Sequence, residues 1–202
     1  MSNTLPDEEI MLQVREGVSE MLTVLFDRYQ LPLFNFYRRL TGDRVVSEDL
    51  VQDVFFRVLK YRRSYRPGTP FRAWIYQIAR NARIDYARKH PQSVEFEPEM
   101  SPATRDRDNA DAEQQTALLH RALLQLPADK REVLLLSRFQ EMKYEDIART
   151  LECEVGTVKV RVHRALRELR DRFEKLSAIK PKGTSQTGLP LPFPNREKGR
   201  LQ

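Results

Sequence analysis

The sequence predicts an all-α protein of two small helical domains, and three observations carry that expectation. Apolar residues recur at i, i+3, i+4 and i+7 in one segment after another, which is the spacing of an amphipathic helix. No run alternates with a period of two and β-branched enrichment, so a sheet is not expected. Between residues 91 and 115 the periodicity gives way to a stretch with seven acids, two bases and the prolines Pro91, Pro98 and Pro102. A structureless run of that length inside one domain is uncommon, so it reads as an interdomain linker.

Taken in order, Asp7 to Glu16 reads as a short helix, with Asp7 as N-cap after Pro6 and Gly17 just past its end. Ser19 is placed to cap a longer one, whose positions Leu22, Leu25, Phe26, Tyr29, Leu33, Phe36, Tyr37 and Leu40 share a face, with Pro32 as a kink or a restart. Gly42 and Asp43 end this element and cap the next. There Leu50, Val54, Phe55, Val58 and Leu59 point inward, while Asp49, Gln52 and Asp53 form a polar stripe outside, the pattern of a solvated face. Pro67 to Pro70 break the chain again, and Thr69 or its neighbour is placed to cap a helix from Phe71.

Residues 60–90 have a composition suited to nucleic acid. Nine cations (Lys60, Arg62, Arg63, Arg66, Arg72, Arg80, Arg83, Arg88, Lys89) stand against one acid, Asp85, among six aromatic rings. Cations neutralise phosphates, and rings offer faces on which unpaired bases stack. Dense aromatics therefore point to single-stranded or melted nucleic acid. Against that, Trp74, Ile75, Ile78, Ala79, Ala82 and Tyr86 follow the period of one helix face and read as core; for Tyr61 and Tyr65, in the loop, core and base stacking both stay open.

The net charge of +6 also favours nucleic acid over an anionic membrane surface. No apolar run reaches the ~18 residues of a membrane span. The acidic N-terminus is not signal-like, and a cytoplasmic protein is expected. Cys153 is the single cysteine, and His90, His120 and His163 lie at least thirty residues apart, so no disulfide, metal site or other cofactor is expected.

Beyond the linker, Leu118, Leu119, Ala122, Leu123 and Leu126 form one helix face that stops at Pro127, and "ADKREVLLLSRF" forms the next helix. The segment from Tyr144 to Leu176 then has the layout of a short helix, a tight turn and a longer helix. Ile147, Ala148 and Leu151 are buried positions in the first; Val158, Val162, Ala165, Leu166 and Leu169 face inward in the second. Lys159, Arg161, His163, Arg164 and Arg167 are left outward. Two readings stand at this point: a generic hairpin with a solvated basic face, or a helix-turn-helix whose second helix enters the major groove.

The segments "SEDLVQDVFFRV", "PFRAWIYQIARNARIDYARK" and "YEDIA...VGTVKVRVHRALREL", in this order around an acidic linker, resemble the extracytoplasmic-function (ECF) sigma factors of bacterial RNA polymerase. The resemblance covers about Asp7 to Leu176. It implies a protein that binds core polymerase, directs it to promoters and helps melt DNA, with no catalysis of its own. Residues 1–90 would be region 2, binding the polymerase clamp and opening the minus-ten element. Residues 116–176 would be region 4, binding the minus-thirty-five element, with residues 91–115 as linker and 177–202 as a disordered tail. By position, Asp49, Gln52 and Asp53 would contact the clamp. Tyr61, Arg62, Arg63 and Tyr65 fall in the loop that captures a flipped base, and Asn81, Asp85, Arg88 and Lys89 on the helix that reads the opened strand. Glu154, Gly156, Thr157, Lys159, Val160, Arg161 and Arg164 match the groove-facing part of the recognition helix. The resemblance further implies an anti-sigma partner, a monomer when free and no membrane insertion.

Two promoter elements about two duplex turns apart are separated by ~70 Å. A linker of ~25 residues spans ~28 Å as a relaxed coil and ~85 Å extended, so only the extended form would reach. Glu141 and Glu152 occupy positions where the family commonly has glycine, and a left-handed non-glycine residue there costs ~1 kcal/mol. Lys143 and Cys153 stand where Ser or Thr usually caps a helix, a loss of ~1 kcal/mol each. Val160 stands where serine is frequent. It is either an incidental exposed apolar residue or a contact for a thymine methyl group. Two alternatives remain from other classes: a sigma-like decoy that binds an anti-sigma partner without DNA, and a plain helix-turn-helix regulator. The nine cations of residues 60–90 argue against the first and the aromatic first domain against the second.

Overall fold

The computed structural model describes residues 5–90 and 110–178, and among these every regular element is helical. The linker expectation for residues 91–109 and the tail expectation for residues 179–202 lie outside the described residues. Eight α-helices follow one another: α1 (Asp7–Glu16), α2 (Met21–Thr41), α3 (Arg44–Tyr61), α4 (Phe71–Lys89), α5 (Ala110–Leu124), α6 (Ala128–Leu134), α7 (Tyr144–Thr150) and α8 (Val155–Ala178). A 3-10 turn at Arg62–Ser64 follows α3, and a π turn at Leu135–Phe139 continues α6. α5 starts five residues before the linker was expected to end. The run from Ala110 to Gln115 is rich in Ala, Glu and Gln, which favour helix. α8 likewise takes in the first two residues of the expected tail, Ser177 and Ala178.

Helix ends show where local chemistry decided the fold and where it did not. Asp43 caps α3 as expected, accepting from the Val46 N–H, and Gly17 and Gly42 end α1 and α2 in the left-handed conformation. Gly42 has a second reason to lack a side chain, since a Cβ there would press on the Leu124 methyls at 3.3 Å. Asp7, however, is the first residue of α1 and not its cap. Its carboxylate instead pairs with Arg28 and accepts from the Tyr29 hydroxyl at 2.6 Å, tying α1 to α2. Ser19 donates to the Gly17 carbonyl and caps nothing. Thr69 does not cap α4 either: the Phe71 N–H donates to the Glu8 carboxylate of α1 at 2.9 Å. α2 runs on through Pro32 as one helix.

The first four helices enclose an aromatic interior of Phe36, Tyr37, Tyr65, Phe71 and Tyr76, each nearly or fully buried. The rings meet edge to face, Phe36 on Tyr76 at 5.3 Å and Tyr65 on Trp74 at 5.1 Å, the arrangement their quadrupoles favour. Tyr37 donates its hydroxyl to the Ala79 carbonyl. Two expectations are corrected here. Tyr65 is 1 % exposed and its hydroxyl is taken by the Thr69 carbonyl, so it is core and cannot stack on a base. Leu59, expected inside, is exposed, while its neighbour Val58 in the same turn takes the buried position. In the second half Val158, Val162, Ala165 and Leu169 of α8 are buried against α5, α6 and α7 as their spacing predicts.

The two halves share one continuous core. α4 packs on α7, and α2 on α5 and α6. Across this seam Tyr76 donates to Gln140, Thr150 donates to the Ala73 carbonyl at 3.2 Å, and Gln77 donates to Glu152 at 2.9 Å. Arg131 donates to the Leu40 carbonyl. Glu132 is 3 % exposed and faces Arg80 at 3.6 Å and Arg83 at 3.9 Å, with one carboxylate oxygen meeting no hydrogen-bond donor among the described residues.

Candidate nucleic-acid and protein interfaces

α3 presents its outer face as Asp49 and Gln52, both exposed, with Asp53 half-exposed beside them. Sequence reasoning missed two further members. Val45 and Phe56 are about two-thirds exposed, and with Asp49 and Gln52 they follow i, i+4, i+7, i+11 along one face. The signal lay in that spacing, which sets two large apolar residues on the same face as Asp49 and Gln52. Acids repel phosphate, whereas a large exposed ring set among acids suits a protein surface that is basic and partly apolar.

α4 turns a different face outward. Its Asn81, Asp85 and Arg88, together with Tyr61 and Arg57 of α3, line an open depression of about 400 Å³ whose lining also includes Ile78 and Ile84. Four of the eight predicted strand-reading residues are thus brought together. Tyr61 is 46 % exposed, with the Lys60 ammonium over its ring at 5.4 Å. Arg62 donates to the Leu59 carbonyl, Arg63 and Lys89 are exposed beyond the depression, and Tyr65 is withdrawn into the core. Asp85 is held by Arg57 at 2.7 Å and by Arg88 at 3.4 Å, and the hydrogen bond from Arg57 leads in keeping its carboxyl below the usual range. Arg57 also bonds Asp53 at 2.9 Å. Burial works against the charge of Arg57, but the hydrogen bonds to Asp53 and Asp85 outweigh it and raise its pKa. A cup with one accessible ring, an amide, an ionised carboxylate and a guanidinium can stack on a base and hydrogen-bond its edge.

On α8 the turn from α7 leaves Glu154, Gly156, Lys159, Val160, Arg161 and Arg164 exposed and Thr157 half-exposed, on the side opposite Val158 and Val162. Val160 is 48 % exposed. A helix of 24 residues that stands free on one face over its first three turns can enter a major groove. Glu141 and Glu152 do adopt left-handed backbone, at φ 50° and 52°. α7 follows Lys143 without a side-chain cap. α8 begins at Val155, so the residue before it is Glu154 and not Cys153. Among the described residues no cluster of His, Cys, Asp or Glu could hold a metal, and no helix is long and apolar enough to cross a membrane.

Comparison with known proteins agrees with this geometry. Residues 25–91 match the family "Sigma-70 region 2" and residues 116–169 match "Sigma-70, region 4". RNA polymerase sigma factor CarQ of Myxococcus xanthus is 32% identical over 170 residues, covering 82% of this chain and 97% of that protein. The ECF RNA polymerase sigma-E factor of Escherichia coli K12 is 28% identical, covering 87% and 98%. Among solved structures, the sigma factor RpoE in complex with the anti-sigma factor NepR from Bartonella quintana superposes with a TM-score of 0.57 at 27% identity, covering 78% of this chain and 98% of that one. The exposed basic helix after a tight turn, the open depression between α3 and α4 and these likenesses have one common explanation: the chain belongs to the ECF sigma factors of the sigma-70 family.

Proposed function

We propose that this chain binds core RNA polymerase through Val45, Asp49, Gln52, Asp53 and Phe56, and captures the displaced minus-ten strand in the depression of Tyr61, Asn81, Asp85 and Arg88, with Arg62, Arg63 and Lys89 on the backbone. Glu154, Gly156, Thr157, Lys159, Val160, Arg161 and Arg164 of α8 meet the minus-thirty-five duplex. Residues 5–90 act as region 2 and α5 to α8 as region 4, in the cytoplasm where the polymerase works, as a monomer when free and without catalysis by the chain itself. The observation that carries this reading is that Tyr61, Asn81, Asp85 and Arg88, from two helices, line one open cup.

The two halves pack as one body of about 155 residues, which is ~40 Å across. Elements ~70 Å apart cannot both be touched by it, so promoter binding requires the seam to part. An anti-sigma partner, of the kind present in the NepR complex, is supported by that relative's arrangement.

Run-off transcription with core polymerase on a panel of candidate promoters tests the function, and transcripts that appear only with the chain are expected. On a promoter so identified, Asn81→Ala is expected to lower open-complex formation on duplex DNA about ten-fold. On a template already mismatched across the minus-ten element it is expected to lose much less, since the bubble supplies the unpairing energy in advance.

A further inference from the structure

Arg57 lies where the two surfaces just described meet, lining the depression of α4 while bonding the stripe of α3. Its Nε reaches Asp53 on the protein-facing stripe at 2.9 Å, and its Nη1 reaches Asp85 in the strand-facing cup at 2.7 Å. Arg57 is mostly buried, at 18 % exposure, while the two carboxylates it joins are each more than a third exposed. One guanidinium fork thus serves two carboxylates that look out on different partners. Arginine suits this place because its donors are fixed in a plane and can be divided between two acceptors, which a single ammonium cannot match.

Resting on the proposed roles of Asp53 and Asp85, we propose that Arg57 is a positioning residue that couples the two surfaces. An acidic stripe calls for a cation on the polymerase. When that cation engages Asp53, Arg57 is released from sharing and turns wholly to Asp85. The charge of Asp85 is then better neutralised, and an incoming strand with its phosphates meets less repulsion. Polymerase and strand therefore strengthen one another's binding, and by linkage the effect is reciprocal. The plain alternative is an ion pair that only fastens α3 to α4.

The two are told apart by freeing Arg57 without polymerase. Asp53→Asn removes one claimant on the fork and is expected to raise the affinity of the free full-length protein for a labelled single-stranded minus-ten oligonucleotide by ~5-fold, the lower end of common coupling energies. The oligonucleotide is the non-template strand of a promoter active in the run-off assay, measured by anisotropy at low salt, where phosphate contacts are strongest. Glu48→Gln makes the same charge change on the same helix away from Arg57, since Glu48 pairs with Arg44, and is expected to stay within 2-fold of wild type. In an Arg57→Met background the gain from Asp53→Asn is expected to vanish. The proposal is overturned if Asp53→Asn and Glu48→Gln act alike, if the gain survives in Arg57→Met, or if neither wild type nor Asp53→Asn binds the strand. A failure of the functional reading would look different, because no promoter would then support run-off with the wild type.

Discussion

The interior of the first four helices and the seam between the halves are both buried, yet they are built from different chemistry. The interior is rings and aliphatic chains whose few polar atoms are answered: the hydroxyls of Tyr37 and Tyr65 each find a carbonyl. The seam carries Glu132 facing Arg80 and Arg83 at 3.6 and 3.9 Å, too long for a good hydrogen bond, and Arg131 with a buried Nε that meets no acceptor among the described residues. Burial drives the Glu132 carboxyl up despite the two arginines, and drives Arg131 down to about 10. Imperfectly paired buried charge weakens an interface relative to apolar packing of the same area. The difference teaches that the interior is made to persist, and it supports the proposal that the seam parts when a promoter is bound.

The largest expected effect lies in the interior. Phe36→Ala removes a buried ring that touches Tyr37 and Tyr76, and is expected to cost ~3–5 kcal/mol in chemical denaturation, enough to unfold most small domains. The seam is expected to respond with the opposite sign. Glu132→Leu replaces the underpaired carboxylate with an apolar group, while Arg80 and Arg83 are partly exposed and their Nε atoms already lack an acceptor among the described residues. It is expected to raise stability by ~1 kcal/mol and, by favouring closure, to lower run-off yield. A loss of stability would mean that the charges hold the seam together.

A smaller effect is expected in the pH profile. Because the Glu132 pKa is raised in the closed protein, the stability it contributes is complete below the ordinary carboxyl pKa. It falls as the pH rises from there to the raised value, and is constant above it. Thermal melts from pH 4 to 7 are expected to show this decline for wild type relative to Glu132→Gln. A parallel profile for both would place the titration elsewhere.

How much of this was legible in the sequence depends on how far away each residue's partner lies. The recognition helix was legible because Val158, Val162, Ala165 and Leu169 repeat within one element, and so were the left-handed sites at Glu141 and Glu152. Tyr65 was not, since a loop has no period and its burial is set by Phe71 and Trp74 of the following helix. The cap of α4 comes from Glu8, sixty-three residues earlier, where no local pattern could place it. In the candidate site, Asn81, Asp85 and Arg88 were placed by the resemblance to the sigma factors and not by a period of their own. Arg57 looked like one more basic residue of α3. Glu132 carried no signal within "ADKREVL", because its burial depends on how the halves meet.

The measurement that bears most directly on a seam made to part is transcription by a protein that cannot open it. Gln77 and Glu152 touch across the seam at 2.9 Å on an exposed edge, so Gln77→Cys and Glu152→Cys, with Cys153→Ser to remove the native thiol, can be joined by a short cleavable dithiol-reactive linker. Run-off from a promoter carrying both elements is expected to be lost when the linker is closed and restored when it is cleaved. Equal transcript from the linked and cleaved proteins would contradict the account, because a closed body would then be serving two promoter elements it is too small to span.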